Sequence, residues 1–163
     1  MIPYMERTRA YYQAQGYPAY AWAQNDSVPF TPMSGALREA RLVLISTAAP
    51  FRPELGDQGP GARYNADAKF YDVFTAPIEP APDLRISHIG YDRKHCRADD
   101  ARTWLPIPAL QGAAGAGLIG ELAEELISVP TNRSQRVTRE KDAVDAMRHV
   151  ERLKADVVLL VPT

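Results

Sequence analysis

Two stretches of the chain are apolar without interruption, Leu42-Val43-Leu44-Ile45 and Val157-Val158-Leu159-Leu160-Val161. Short unbroken aliphatic runs of this kind suit strands buried on both faces, as in a parallel sheet. Leu84-Arg85-Ile86-Ser87-His88-Ile89 instead alternates apolar and polar positions, the pattern of a half-buried strand. Leu126-Ile127-Ser128-Val129 predicts one more short strand. Helical patterns lie between these runs. Pro106 and Pro108 break the chain, and a helix of small residues is predicted over Leu118–Glu125. A second helix is predicted to start at a Thr138 cap, with Glu140 in its first turn. Val144, Met147, Val150 and Leu153 form its predicted buried face.

Apolar strands alternating with helices predict an α/β fold: a mostly parallel sheet with flanking helices, in a Rossmann/flavodoxin-like layer. Residues 1–36 have a different character. Tyr4, Tyr11, Tyr12, Tyr17, Tyr20, Trp22 and Phe30 are interrupted by Gly16, Pro18, Pro29 and Pro32. A short helix is predicted over Glu6–Gln15, stopped by Gly16 and Pro18. So many aromatic side chains are costly to leave in water. We therefore read 1–36 as an N-terminal arm packed on the body or on a second subunit, and 37–163 as one α/β domain. A Gly/Pro-rich loop over 54–63 continues as an irregular stretch to Pro82, and connections of that length are often functional.

Composition narrows the function. Nineteen basic residues are matched by twenty acidic ones, giving a formal net charge of -1 without a Lys/Arg tract. That balance argues against general nucleic-acid binding. No apolar run approaches the roughly 20 residues that cross a bilayer, and residues 1–10 lack the apolar segment of a secretory signal. The single cysteine, Cys96, leaves no intrachain disulfide, which favours a reducing, cytoplasmic setting.

Three motifs carry possible chemistry. Gly115-Ala116-Gly117-Leu118-Ile119-Gly120 matches the dinucleotide-binding pattern. That pattern needs a preceding strand, which Pro106 and Pro108 oppose, and an acidic residue after a second strand, which is missing. We read these glycines as close packing at a helix start. The loop with His88, Asp92, His95, Cys96, Asp99 and Asp100 is the richest cluster of reactive side chains. Its spacing matches no metal signature, and Arg93, Lys94 and Arg97 would oppose a cation, so no metal site is assigned. The same cations would lower the pKa of a Cys96 thiol. Arg52, Arg63 and Arg85 flank the loops expected near strand ends, where a guanidinium can clamp a carboxylate.

A family resemblance runs through the same residues. Pro29-Phe30-Thr31-Pro32 and Ala40-Arg41-Leu42-Val43-Leu44-Ile45-Ser46-Thr47-Ala48 come first. Asp83-Leu84-Arg85-Ile86-Ser87-His88-Ile89-Gly90-Tyr91-Asp92, the stretch Asp100–Pro106, and Gly117-Leu118-Ile119-Gly120-Glu121-Leu122-Ala123 follow, and Ala155–Pro162 closes the series. In that order they resemble the glycine/sarcosine/betaine reductase selenoprotein B family, which includes relatives of the D-proline reductase selenoprotein. The resemblance implies an α/β fold and reductive cleavage of a C–N bond, with partner subunits supplying a pyruvoyl group. It also implies a selenocysteine or cysteine just after the last strand. This sequence stops at Thr163, where that redox loop would begin, and Arg102 replaces the family's Asn.

The resulting expectation is a reductase-type subunit that binds a small amine or amino-acid-like molecule, without its own redox loop. His88, Asp92 and Cys96 are the candidate catalytic residues, with His88 orienting or protonating the ligand. Thr47, Arg52, Arg63 and Asp100 are the candidate substrate contacts: Asp92 and Asp100 for an amine, Arg52 or Arg63 for a carboxylate. The expected partner is a second copy or another reductase subunit. No cofactor is named by the sequence. A non-catalytic scaffold and a metal-dependent enzyme built on the His88–Asp100 loop are the alternatives.

Overall fold

The computed structural model describes residues 3–56, 69–86, 99–132 and 134–162. The chain divides into two compact units, Met1–Pro32 and Met33–Thr163.

In the first unit, helix α1 spans Pro3–Ala14, with proline tolerated in its first turn because no helical partner awaits its nitrogen there. Gly16 takes φ +79, a left-handed conformation that costs glycine little, and the chain turns back. The returning segment meets the helix through aromatic edges. Tyr12 and Tyr20 stand 5.3 Å apart, Tyr20 and Trp22 4.9 Å, and Tyr4 and Trp22 5.7 Å between ring centroids. Part of the apolar surface of these rings is thus covered by one another.

The second unit is built on strand β1, Arg41–Ser46, whose residues from Leu42 onward are all buried. In a separate two-stranded sheet, β2 (Ala49–Pro50) pairs antiparallel with β4 (Leu84–Arg85). Strand β3 is Phe74–Pro77, helix α2 is Ile107–Gly115, and β5 and β6 are Glu121–Leu122 and Glu125–Ser128. A helical stretch then runs through α3 (Gln135–Val137), one wide π turn (Thr138–Asp142) and α4 (Ala143–Arg152), before β7, Val157–Val161. Strands β5, β6 and β7 all run parallel to β1, while β3 lies antiparallel to β6. The fold is therefore mixed α/β with a mostly parallel sheet.

Alternation along β1 and β6 sends side chains to two cores. Leu44 and Leu126 join Leu84, Ile86, Trp104, Leu105 and Ile107 on one face. Val43, Ile45 and Ile127 join Ala146, Val150 and Leu153 of the α4 segment on the other. At the amino edge Arg41 fastens three strands. Its amide donates to Asp156 (2.9 Å), its Nε to the Leu153 carbonyl (2.7 Å), and its guanidinium pairs with Glu121 and Glu124. Those carboxylates, led by the Glu121 hydrogen bond, hold the guanidinium pKa above its ordinary value.

Several sequence expectations are corrected. The small-residue helix is α2, ahead of Leu118–Glu125. Pro106 and Pro108 start it, since a fixed φ is pre-organised for the first helical turn. Glu121–Ser128 has helix-forming residues but is drawn into the sheet by pairing with β1, as tertiary context overrides propensity. The glycine pattern follows a helix and does not follow a strand. Gly117 has φ +69, and a Cβ on Gly120 would fall 2.6 Å from the Glu39 backbone carbon. The second helix is capped by Ser134, whose hydroxyl accepts from the Val137 amide, four residues ahead of Thr138. Val144 and Met147 are exposed, because uniform steps of three drift about 60° per step around a helix. The buried stripe is Asp142, Ala146, Val150 and Leu153. Strand β7 is only half-buried on one face, where Leu159 and Val161 pack on the first core, and is exposed at Val158 and Leu160 on the other; among the described residues it pairs with β1 alone. Strand β3, within the stretch read as irregular, was not foreseen.

Candidate functional site

In open parallel sheets, ligands bind outside the carboxyl ends of the strands, where loops from neighbouring strands diverge. Here β1 and β6 end side by side at Ser46 and Ser128, both fully buried. The Ser46 hydroxyl donates to the Trp104 carbonyl (3.1 Å) and accepts from the Ala48 amide (3.2 Å). The Ser128 hydroxyl donates to the Ala48 carbonyl (2.6 Å). Trp104 is fixed in turn by its indole N–H, which donates to the Leu84 carbonyl (2.8 Å). Both serine protons are committed to carbonyls, so these residues anchor the loops and are not activated nucleophiles.

The expected substrate contacts distribute around this edge. Thr47 follows Ser46 directly and is half-buried. Asp100 precedes Trp104 by one short turn, Ala101–Thr103, which it caps by accepting the Arg102 amide at 3.0 Å. Its carboxylate also forks with the Arg102 guanidinium, at 2.8 Å and 2.7 Å, holding that guanidinium's pKa above its ordinary value. Arg52 is exposed and precedes the Pro53–Leu55 turn, whose Leu55 amide donates to its carbonyl. The Ser46–Trp104 bond thus brings Thr47 and the Asp100 turn to one edge. His88, Asp92, Cys96 and Arg63 lie outside the described residues.

A cavity of about 610 Å³ opens on the β6 side of the same edge. Residues 69–72, which lead into β3, form one wall, and Thr131, Asn132, Ser134, Val137 and Lys141, which follow β6, form the other. Pairing of Phe74 with Ser128 places the two walls together. Phe70 packs edge-on against Phe74, with centroids 5.3 Å apart, and so orients the first wall. On the second, the Asn132 side chain accepts from the Ser134 amide (2.9 Å) and donates to the buried Asp142 carboxylate. Lys141, in the wide π turn, crosses to Asp72 at 2.7 Å and lies 3.8 Å from Asp145. Turns of this kind recur at functional sites.

The electrostatics follow from these contacts. The Asp72 hydrogen bond comes first among the causes that hold the Lys141 ammonium pKa above its ordinary value. Burial is the main cause raising the Asp142 carboxyl, with Lys141 and Asn132 opposing it. Asp142 Oδ1 has no hydrogen-bond partner among the described residues. The cavity therefore offers a carboxylate, ammonium groups at Lys69 and Lys141, the Asn132 amide, hydroxyls at Thr131 and Ser134, and aromatic surface at Phe70 and Tyr71. Among the described residues no cluster of His, Cys, Asp and Glu could hold a metal ion.

None of these lining residues was singled out from sequence. The usable signal was the polar run Thr131-Asn132-Arg133-Ser134 between an apolar strand and a helix, the position ligands take in α/β folds. Placing the cap at Thr138 concealed it. Among the described residues no helix is long and apolar enough to cross a membrane. Comparison with protein-family models, curated proteins and solved structures returns no match.

Proposed function

We propose that this chain is a cytoplasmic reductase-type subunit that binds a small amine or amino-acid-like molecule at the carboxyl edge of its sheet. The observation that carries the reading is the Lys141–Asp72 pair on a cavity of about 610 Å³. That volume suits a small metabolite. A zwitterion can replace the pair with two of its own, its ammonium on Asp72 and its carboxylate on Lys141 or Lys69. Both partners are substantially exposed, so water screens their attraction and the exchange is easy. The ligand's apolar part would lie against Phe70 and Val137.

Asp72 takes the amine contact in this reading in place of Asp100, whose oxygens are engaged by Arg102. The resemblance to the selenoprotein B family supplies the reductase assignment. From their own chemistry and their expected places near strand ends, and not from the family, His88, Asp92 and Cys96 are the groups proposed for proton or thiol chemistry and Thr47, Arg52 and Arg63 further ligand contacts. The flavodoxin-like layering is read from the alternation of apolar strands and helices, and the aromatic arm over 1–36 from the aromatic content of those residues. Two cores on opposite faces of a mostly parallel sheet support the layering.

Titration calorimetry of the full chain against glycine, sarcosine, betaine, proline, simple amines and simple carboxylates tests this reading. We expect a zwitterion to bind, and Asp72→Asn and Lys141→Gln each to weaken it about tenfold or more, the scale of one lost charged contact. Absence of binding across the panel, or binding indifferent to both substitutions, would refute it.

A further inference from the structure

We propose that a ligand entering the cavity drives a proton onto Asp142, which makes the cavity a proton-coupled receptor for molecules that bring a carboxylate. This coupling rests on the zwitterion reading of the cavity and adds how the site is regulated. Asp142 does not itself line the cavity but borders it through two residues that do. It follows Lys141 in the wide π turn, and one of its oxygens, Oδ2, accepts from the Asn132 side chain. Lys141 and Asn132 are both on the cavity wall.

The two oxygens of this carboxylate are in different states. Oδ2 is engaged by Asn132, whereas Oδ1 is buried without a hydrogen-bond partner among the described residues, on a side chain only 3% exposed. A buried carboxylate with one bare oxygen is a poor setting for a full charge. That same oxygen has room in its bonding for a proton, because protonation there leaves the Asn132 bond intact.

The surrounding charges decide what a ligand does to this group. Lys141 and Asp145 lie on its own helical stretch, Asp72 and Lys69 on the segment leading into β3, and Asn132 on the loop after β6. Arg133 of that loop lies outside the described residues. Among these neighbours Lys141 acts most strongly on Asp142, favouring its charged form, while Asp145 and then Asp72 oppose it. A zwitterion sets its carboxylate on Lys141, which adds a negative charge where coupling to Asp142 is strongest. Its ammonium goes to Asp72, where coupling is weaker and the exposed side chain is screened by water. The two ends of the ligand therefore do not cancel. The carboxylate dominates, and Asp142 takes a proton from solvent onto Oδ1. Linkage is reciprocal, so protonated Asp142 holds the ligand more tightly and affinity rises as pH falls.

Titration calorimetry of the full chain with glycine, sarcosine, betaine and proline, in buffers of low and high ionisation enthalpy, counts the protons. The quaternary ammonium of betaine holds no proton, so uptake on its binding belongs to the protein. From about pH 7.5 to about pH 5.5 we expect uptake growing toward one proton per ligand, with the dissociation constant falling severalfold and never by more than about tenfold per pH unit. Asp142→Asn, its fold checked by circular dichroism, should remove the uptake and flatten the pH dependence. On the parent protein, the ¹³C carboxyl signal of Asp142 should titrate at higher pH with ligand bound than without. Equal binding enthalpy in both buffers at every pH, an Asp142 midpoint indifferent to ligand, or a pH dependence that survives Asp142→Asn would overturn the coupling and leave the cavity reading standing. No binding by any of the four would refute that reading and the coupling with it.

Discussion

Asn132 donates its side-chain amide to Asp142 while accepting the backbone N–H of Ser134, so one residue joins the helix start to a buried carboxylate in the wide turn. Asp142 is 3% exposed, and its second oxygen is without a partner among the described residues. A charged group in that setting is held against a desolvation cost that only part of its surroundings offsets.

Asp142→Asn should therefore stabilise the protein at neutral pH, because an amide keeps the acceptor for Asn132 and removes the buried charge. The raised carboxyl pKa fixes the sign. Its contribution to stability is present below the ordinary carboxylate range and is lost as pH rises through the elevated folded value. Denaturant unfolding at pH 7 and pH 4 should show the variant's advantage shrinking on acidification. A variant less stable than the parent at pH 7 would contradict this.

The Glu125–Arg152 pair behaves in the opposite sense. Hydrogen bonds from Arg152 and then Thr75 lower the Glu125 pKa. Its stabilisation is present above the ordinary carboxylate range and lost as pH falls through the lowered folded value. Arg152→Gln should cost stability at pH 7 and progressively less toward pH 3. Equal loss at both pH values would show that the charge is not what matters.

Ser128→Ala separates anchoring from chemistry. Removing the hydroxyl strands the buried Ala48 carbonyl and should cost about 1–3 kcal/mol by denaturant unfolding. Ligand affinity should remain within about threefold, because Ser128 does not line the cavity. A large affinity loss in a variant of normal stability would give this serine a direct role.

Gly120→Ala tests the close approach of β5 to the segment leading into β1. The added methyl would meet backbone atoms of Glu39 and Ala40 at 2.6–3.0 Å, and backbone cannot rotate away. A loss of about 1–3 kcal/mol is expected. Gly112→Ala, with open space around the same methyl, serves as the tolerant control.

The sequence made the sheet legible where burial writes directly into composition. Leu42–Ile45 and Leu126–Ser128 were recognisable because strands covered on both faces have no polar alternation. Val157–Val161 has the same composition but, among the described residues, pairs with β1 alone, and composition cannot tell an interior strand from an edge strand. The helix starts were harder to see. Prolines at 106 and 108 read as breakers when they were initiators, and the π turn at Thr138–Asp142 shifted the periodicity that would have pointed back to Ser134. The cavity was hidden for a related reason. Asp72 and Lys141 are 69 positions apart and meet only because β3 turns antiparallel to β6. No local pattern records that pairing, whereas the chemistry of the His88–Asp100 loop is concentrated in one short segment and drew the sequence reading to it.

In the proposed function the ligand sits in the cavity between residues 69–72 and the wall of Thr131, Asn132, Ser134, Val137 and Lys141. Two-dimensional ¹H–¹⁵N spectra of the full chain, titrated with the zwitterion that binds most tightly, test it most directly. Saturable shifts centred on Asp72, Asn132, Ser134 and Lys141 are expected. Shifts centred instead on Thr47 and the Asp100 turn, or none at saturating ligand, would contradict it.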